Sequence, residues 1–136
     1  MNMSKIMPVL FLPALCIPAC TKTVTQVVNQ AFSASYQIQA GSWATTDGGL
    51  SYSTTLSVPE INSVVLQSGA VIVYLSLDGG TTFEALPEVF NGVAYGAIHQ
   101  NQTIYLDISA ANGTSTVTPP NKTYIAKVVL VNAKPL

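Results

Sequence analysis

The sequence predicts an all-β fold, an antiparallel β-sandwich of about seven strands, and three observations predict it. After residue 30, apolar side chains recur at every second position; Gly, Pro, Asn and Asp punctuate the chain at short intervals; and helical periodicity is nearly missing. The length suits one domain, because a chain of 136 residues buries roughly two thirds of its unfolded surface on folding. That is enough for a core without metals or disulfides.

The elements follow in order. Phe32, Ala34, Tyr36 and Ile38 share one face of a half-buried strand, with Ser33, Ser35 and Gln37 on the other. Leu50, Tyr52, Thr54, Leu56 and Val58 repeat the pattern, and Asp47-Gly48-Gly49 supplies the turn before them. Pro59 stops that strand, and Ile61 to Gln67 reads as a short helical turn closed by Gly69. Ala70 to Leu77 is apolar on both faces, as a central strand is. Asp78-Gly79-Gly80 turns the chain into a strand over Thr81 to Leu86, ended by Pro87, and Asn91-Gly92 leads into Val93 to Ile98. Thr103 to Ser109 alternates with Ile104, Leu106 and Ile108 inward, leaving Tyr105 and Asp107 outward. A polar loop over Ala110 to Asn121 precedes the apolar strand Tyr124 to Val131, in which Lys127 breaks one face only.

The front of the chain differs in kind. Met1 to Lys5 carries one positive charge, and Ile6 to Ala19 is uncharged and interrupted by Pro8, Pro13 and Pro18. It is too short to span a bilayer easily, which takes about 20 apolar residues, and it has the layout of a secretory signal. Ile17-Pro18-Ala19-Cys20 resembles the lipobox of bacterial lipoproteins, which implies that Cys20 becomes the acylated first residue. The alternative is a plain signal peptide in which Cys16 and Cys20 are ordinary apolar residues. Acyl chains contribute about 0.8 kcal/mol per buried methylene, so two or three palmitate-type chains hold a protein stably on a membrane. The expected organisation is a signal peptide over 1–19, a lipidated cysteine and tether over 20–30, and a β-sandwich domain over 31–136. Thr21 to Gln30, with Val24, Val27 and Val28, reads either as that tether or as a first edge strand. The expected address is the cell envelope, as an outer-membrane lipoprotein facing the periplasm or the surface.

Composition narrows the function. Only 8% of residues are charged, with five lysines, no arginine and a net charge of -1, unlike the basic footprint of a nucleic-acid binder. Both cysteines lie at the front, so the body has no thiol for a disulfide, a zinc site or a nucleophile. His99 is the single imidazole; Asp107 is near it in sequence, but no Gly-x-Ser-x-Gly elbow accompanies them. Glu60, Glu84 and Glu88 lie beside turns or prolines and read as solvated rather than as paired glycosidase carboxylates. No catalytic residue, metal site or cofactor is expected.

Ser76-Leu77-Asp78-Gly79-Gly80-Thr81-Thr82-Phe83 resembles the Asp box of sialidases and related propellers, and Thr45, Asp47, Gly49, Ser51 and Tyr52 echo it loosely. The resemblance implies a turn-forming role for Asp78; sialidase chemistry needs an arginine cluster that this chain lacks. More broadly, the lipobox, Gly69-Ala70-Val71-Ile72-Val73-Tyr74, Phe83-Glu84-Ala85-Leu86-Pro87 and Val128-Val129-Leu130-Val131 resemble small Bacteroidota-type lipoproteins. That implies a β-sandwich in the envelope and supplies no activity. The expected role is a non-catalytic structural or protein-interaction module held on the membrane by its lipid. The alternative is a glycan-binding module that uses exposed Trp43 and Tyr105, unless Trp43 is a plug over the open end of the sandwich.

Overall fold

The computed structural model describes residues 31–133. The leader expected over 1–19, Cys20 and the tether over 20–30 lie outside the described residues. Between those limits the chain forms two four-stranded antiparallel sheets packed face to face. The strands are β1 (Ala31–Ile38), β2 (Ser51–Ser57), β3 (Ala70–Ser76), β4 (Glu84–Ala85), β5 (Glu88–Phe90), β6 (Val93–Gln100), β7 (Thr103–Ala110) and β8 (Tyr124–Val131), with one helix, α1 (Ser63–Ser68). The first sheet has the order β1-β8-β3-β4 and the second β2-β7-β6-β5. The predicted sandwich is therefore present.

The core follows from alternation. Ile104, Leu106 and Ile108 of β7 and Ala126, Val128 and Leu130 of β8 are all buried, and these two strands lie inside their sheets. Each is flanked on both sides by paired backbone, so the apolar face of each can be fully covered. Between β5 and β6, Asn91 and Gly92 both take positive φ (51° and 76°), as a tight two-residue hairpin turn requires.

Several sequence expectations need correction. The strand expected over Thr81 to Leu86 shrinks to Glu84–Ala85, because the Asp78 turn holds residues as far as Thr82 by side-chain bonds. β5 is an eighth strand of three residues that was not foreseen; it is the partner that the Asn91-Gly92 turn requires. β1 is not half-buried: only Ile38 is fully covered, because β1 borders its sheet. Leu50 precedes β2 and is exposed. The helix starts later than expected: Asn62 caps it, its side chain accepting from the N–H groups of Val64 (3.0 Å) and Val65 (3.1 Å), while Ile61 drops into the core. The loop over Ala110 to Asn121 is not wholly polar in role, since Val117 is buried and its N–H donates to the Gly49 carbonyl at 2.9 Å.

The two ends of the sandwich differ. At one, Ile38 of β1, Ser76 of β3 and Tyr124 of β8 come together by register, and Trp43 joins them to the start of β2 through Tyr124 and the Ala44–Ser53 bridge. At the other lie Ala31, Val131 and Ala70, with α1 leading into β3 and the Asn101-Gln102 turn joined by backbone bonds to Val58 and Ile61.

Candidate functional site

The two aspartate turns lie at the first of these ends. In one, Ser76 Oγ donates to Asp78 Oδ1 (2.7 Å) and the Gly80 N–H donates to Ser76 Oγ (2.8 Å). The Thr82 N–H donates to Asp78 Oδ1 (2.9 Å) and Thr82 Oγ1 to Asp78 Oδ2 (2.7 Å). In the other, Thr45 Oγ1 donates to Asp47 Oδ1 (2.9 Å), the Gly49 N–H to Thr45 Oγ1 (3.0 Å) and the Ser51 N–H to Asp47 Oδ1 (2.9 Å); Ser51 Oγ donates to Asp47 Oδ2. The glycines agree as well, with φ of 79° and 98° at Gly79 and Gly80 and 74° and 92° at Gly48 and Gly49. The loose echo in sequence is thus a second copy of the same turn. Hydroxyl and amide donors hold both carboxyls well below the ordinary carboxylate range, Asp47 at about 2. With their oxygens occupied by the turn itself, both aspartates serve as turn staples.

Trp43 is not available for stacking on a ligand. It is 7% exposed and belongs to the core, with its ring edge-on to Tyr124 at 6.1 Å between centroids. Its Nε1–H is buried without a hydrogen-bond partner. Of the two readings open at sequence level the plug is the one observed, because the loop over 39–50 folds its one aromatic side chain inward. Tyr105 does face outward, 40% exposed on the second sheet, with its hydroxyl accepting from Gln100 Nε2 at 2.9 Å.

His99 and Asp107 do not meet. His99 pairs with Ile104, which faces the core, whereas Asp107 lies on the opposite face of the same sheet beside Gly96. The three glutamates also divide. Glu60 lines a hollow beside β1, while Glu84 and Glu88 share a groove of about 330 Å³ between the borders of β4 and β5.

This second groove has the better-defined chemistry. Leu75 and Leu77 form part of its floor, and Phe90, paired with inward-facing Val93, stays 54% exposed in its mouth. Glu88 pairs with Tyr95 and so points inward. Burial, and after it the charge of Glu84, pushes its carboxyl up from the ordinary value. Its Oε1 is buried and has no partner. Lys122 closes the rim from the loop leading into β8. An unpartnered acceptor over an apolar floor favours a ligand that brings a donor, an amine or an amide N–H, on an apolar body.

Sequence reasoning missed Phe90, Lys122 and Lys127. Lys127 lies on the outer face of the first sheet with its Nζ over the rings of Tyr74 (4.8 Å) and Phe83 (4.4 Å), a cation–π sandwich. The signal was the lone lysine in an apolar strand, but its aromatic partners come from β3 and the loop before β4, which only the sheet order brings together. Among the described residues no group of three or more metal-ligating side chains gathers. No family model, curated protein or solved structure matches the chain.

Proposed function

We propose that this chain is an exported lipoprotein of the cell envelope, anchored through Cys20, and that its sandwich is a non-catalytic protein-interaction module. The anchor is supported by the charged start, the apolar run and the Ala19-Cys20 pair. The observation that carries the interaction role is the groove between β4 and β5, where Phe90 stays exposed although it faces inward, beside an unpartnered Glu88 oxygen. Partner side chains that bring an apolar group and an N–H donor would satisfy both.

Two measurements test this proposal. Cys20→Ala should move the protein from the membrane to the soluble fraction, and retention on the membrane would refute the anchor. A photo-crosslinking residue at position 90 should label one discrete envelope protein in intact cells, and Glu88→Lys should abolish that adduct. Diffuse labelling, or labelling indifferent to Glu88→Lys, would remove the groove from consideration. A glycan-binding role rests now on Tyr105 alone, exposed among Thr55, Ile98 and Gln100; Tyr105→Ala should then abolish binding on a glycan array, and an array silent for the parent protein disposes of it.

A further inference from the structure

We propose that β1 is a homodimer interface, at which two copies of the chain pair antiparallel about a two-fold axis at Ala34 and join their first sheets into one. Such a dimer does not depend on the anchor, and it leaves the groove between β4 and β5, at the opposite border of the sheets, open in both copies. The borders themselves differ. β4 has two residues and β5 three. β2 is bridged by Ala44 at Ser53, and its inward Thr54 and Leu56 are already buried. β1 offers eight consecutive residues without a charge or a proline, and among the described residues β8 is its sole strand partner. A long neutral border of this kind invites pairing, and proteins ordinarily shorten, charge or cover it.

The side chains of β1 show the same deficit. Phe32 is registered with buried Leu130 and so faces inward, yet it remains 50% exposed. Ala34, registered with buried Val128, is exposed as well, and Tyr36 is only half-buried. Phe32 stands between two hollows of about 220 and 230 Å³, both of which also touch Glu60 and Leu130. Glu60 is the one charged residue lining either hollow, and it is exposed, so covering them need not bury a charge. A strand laid alongside β1 would cover both its backbone and its inward side chains.

A second copy of β1 fits that place because the strand is self-complementary. In a joint sheet the inward side chains of both copies must stay on one side, so even-numbered residues oppose even-numbered ones. The same parity brings together the backbone groups that are turned away from β8. With the axis at Ala34, Phe32 lies opposite Tyr36 of the partner subunit, and the symmetric pair repeats this on the other side. The two partly exposed aromatics of each copy thus cover those of its mate over the hollows, and the smallest inward side chain sits where the strands cross the axis. Ser33 then opposes Ser35 of the partner subunit and Ala31 opposes Gln37 of the partner subunit, so no like charges meet. An axis at Ser35 would instead spend Phe32 on Ile38 of the partner subunit, which its own core already buries.

Sedimentation equilibrium of the full chain in density-matched detergent tests the proposal. The parent should show a reversible monomer–dimer equilibrium, since one pair of short strands is a small interface. Ala34→Lys, which sets two like charges face to face on the axis, should raise the dissociation constant on the order of 100-fold. As a check that does not depend on the folding of that variant, Ala34→Cys should form a disulfide between position 34 of two chains, identified by mass spectrometry of the linked peptides. Gln37→Cys lies far from its own copy across the axis and should not link to itself. A monomeric parent, a dimer indifferent to Ala34→Lys, or self-linking as frequent at position 37 as at 34 would each overturn the proposal. So would a monomer whose β1 amides are all protected from hydrogen exchange, which would put another part of the same chain beside β1.

Discussion

Trp43 shows how one side chain divides a structural role from a functional one. Its indole is buried against Tyr124 with an unpartnered Nε1–H, and an unsatisfied buried donor costs about 1–3 kcal/mol. Trp43→Phe removes that penalty while giving up part of the ring volume, so the two effects oppose. The expected net loss is below about 1 kcal/mol, whereas Trp43→Ala should lose about 3–5 kcal/mol by leaving a cavity. Urea unfolding followed by circular dichroism measures both; a large loss for Trp43→Phe would mean that the N–H has a partner in solution. Sequence could not choose between plug and ligand platform here, because the residues around Trp43 are polar and its neighbour Tyr124 lies 81 positions away. Asp78 was legible, since every partner of its carboxylate lies within four residues of it.

Among the elements, local chemistry was legible and pairing was not. Local patterns located seven of the eight strands, β1, β2 and β7 through the alternation that the pleat itself imposes. They did not reveal that β1 borders its sheet while β8 lies inside it, a difference that the choice of neighbours creates. The junction of α1 and β3 illustrates a constraint that sequence hinted at through Gly69. Its φ of -91° is open to any residue, so conformational freedom is not the reason for glycine. A Cβ at position 69 would collide with the Val131 carbonyl oxygen and approach Val65 Cα to 2.9 Å, both of them backbone. Gly69→Ala should therefore cost about 1–3 kcal/mol, the range for overpacking. Gly41→Ala has open space around its Cβ and should be within about 0.5 kcal/mol of the parent. Thermal unfolding of the pair checks this, and equal Tm values would show that the helix swings clear of β8 at little cost.

On the scale of the whole molecule, scarcity of charge makes acid the revealing perturbation. Six carboxylate side chains serve the full sequence, and two of them, Asp47 and Asp78, are held below their ordinary value by the donors of their turns. A carboxyl whose pKa is lower folded than unfolded binds protons more readily in the unfolded chain. Its stabilising contribution is complete above the unfolded value near 4 and is lost as pH falls through the folded one. For Asp47 that window runs from about 4 down to about 2, and Asp78 extends it to lower pH. Glu88 acts with the opposite sign: burial raises its pKa, so protonation on acidification relieves a cost of the folded state before the aspartates begin to titrate. Tm should therefore hold or rise slightly as pH is lowered from neutrality toward the ordinary glutamate value, then fall steeply below about 4. Glu88→Gln should remove the first feature, and Asp47→Asn with Asp78→Asn should flatten the second while lowering Tm at neutral pH by several degrees. Calorimetry across that range separates the two contributions. If the acid limb of the double asparagine variant kept the parent's slope, the aspartate turns would not be what acid undoes, and carboxylates elsewhere in the chain would have to carry the loss.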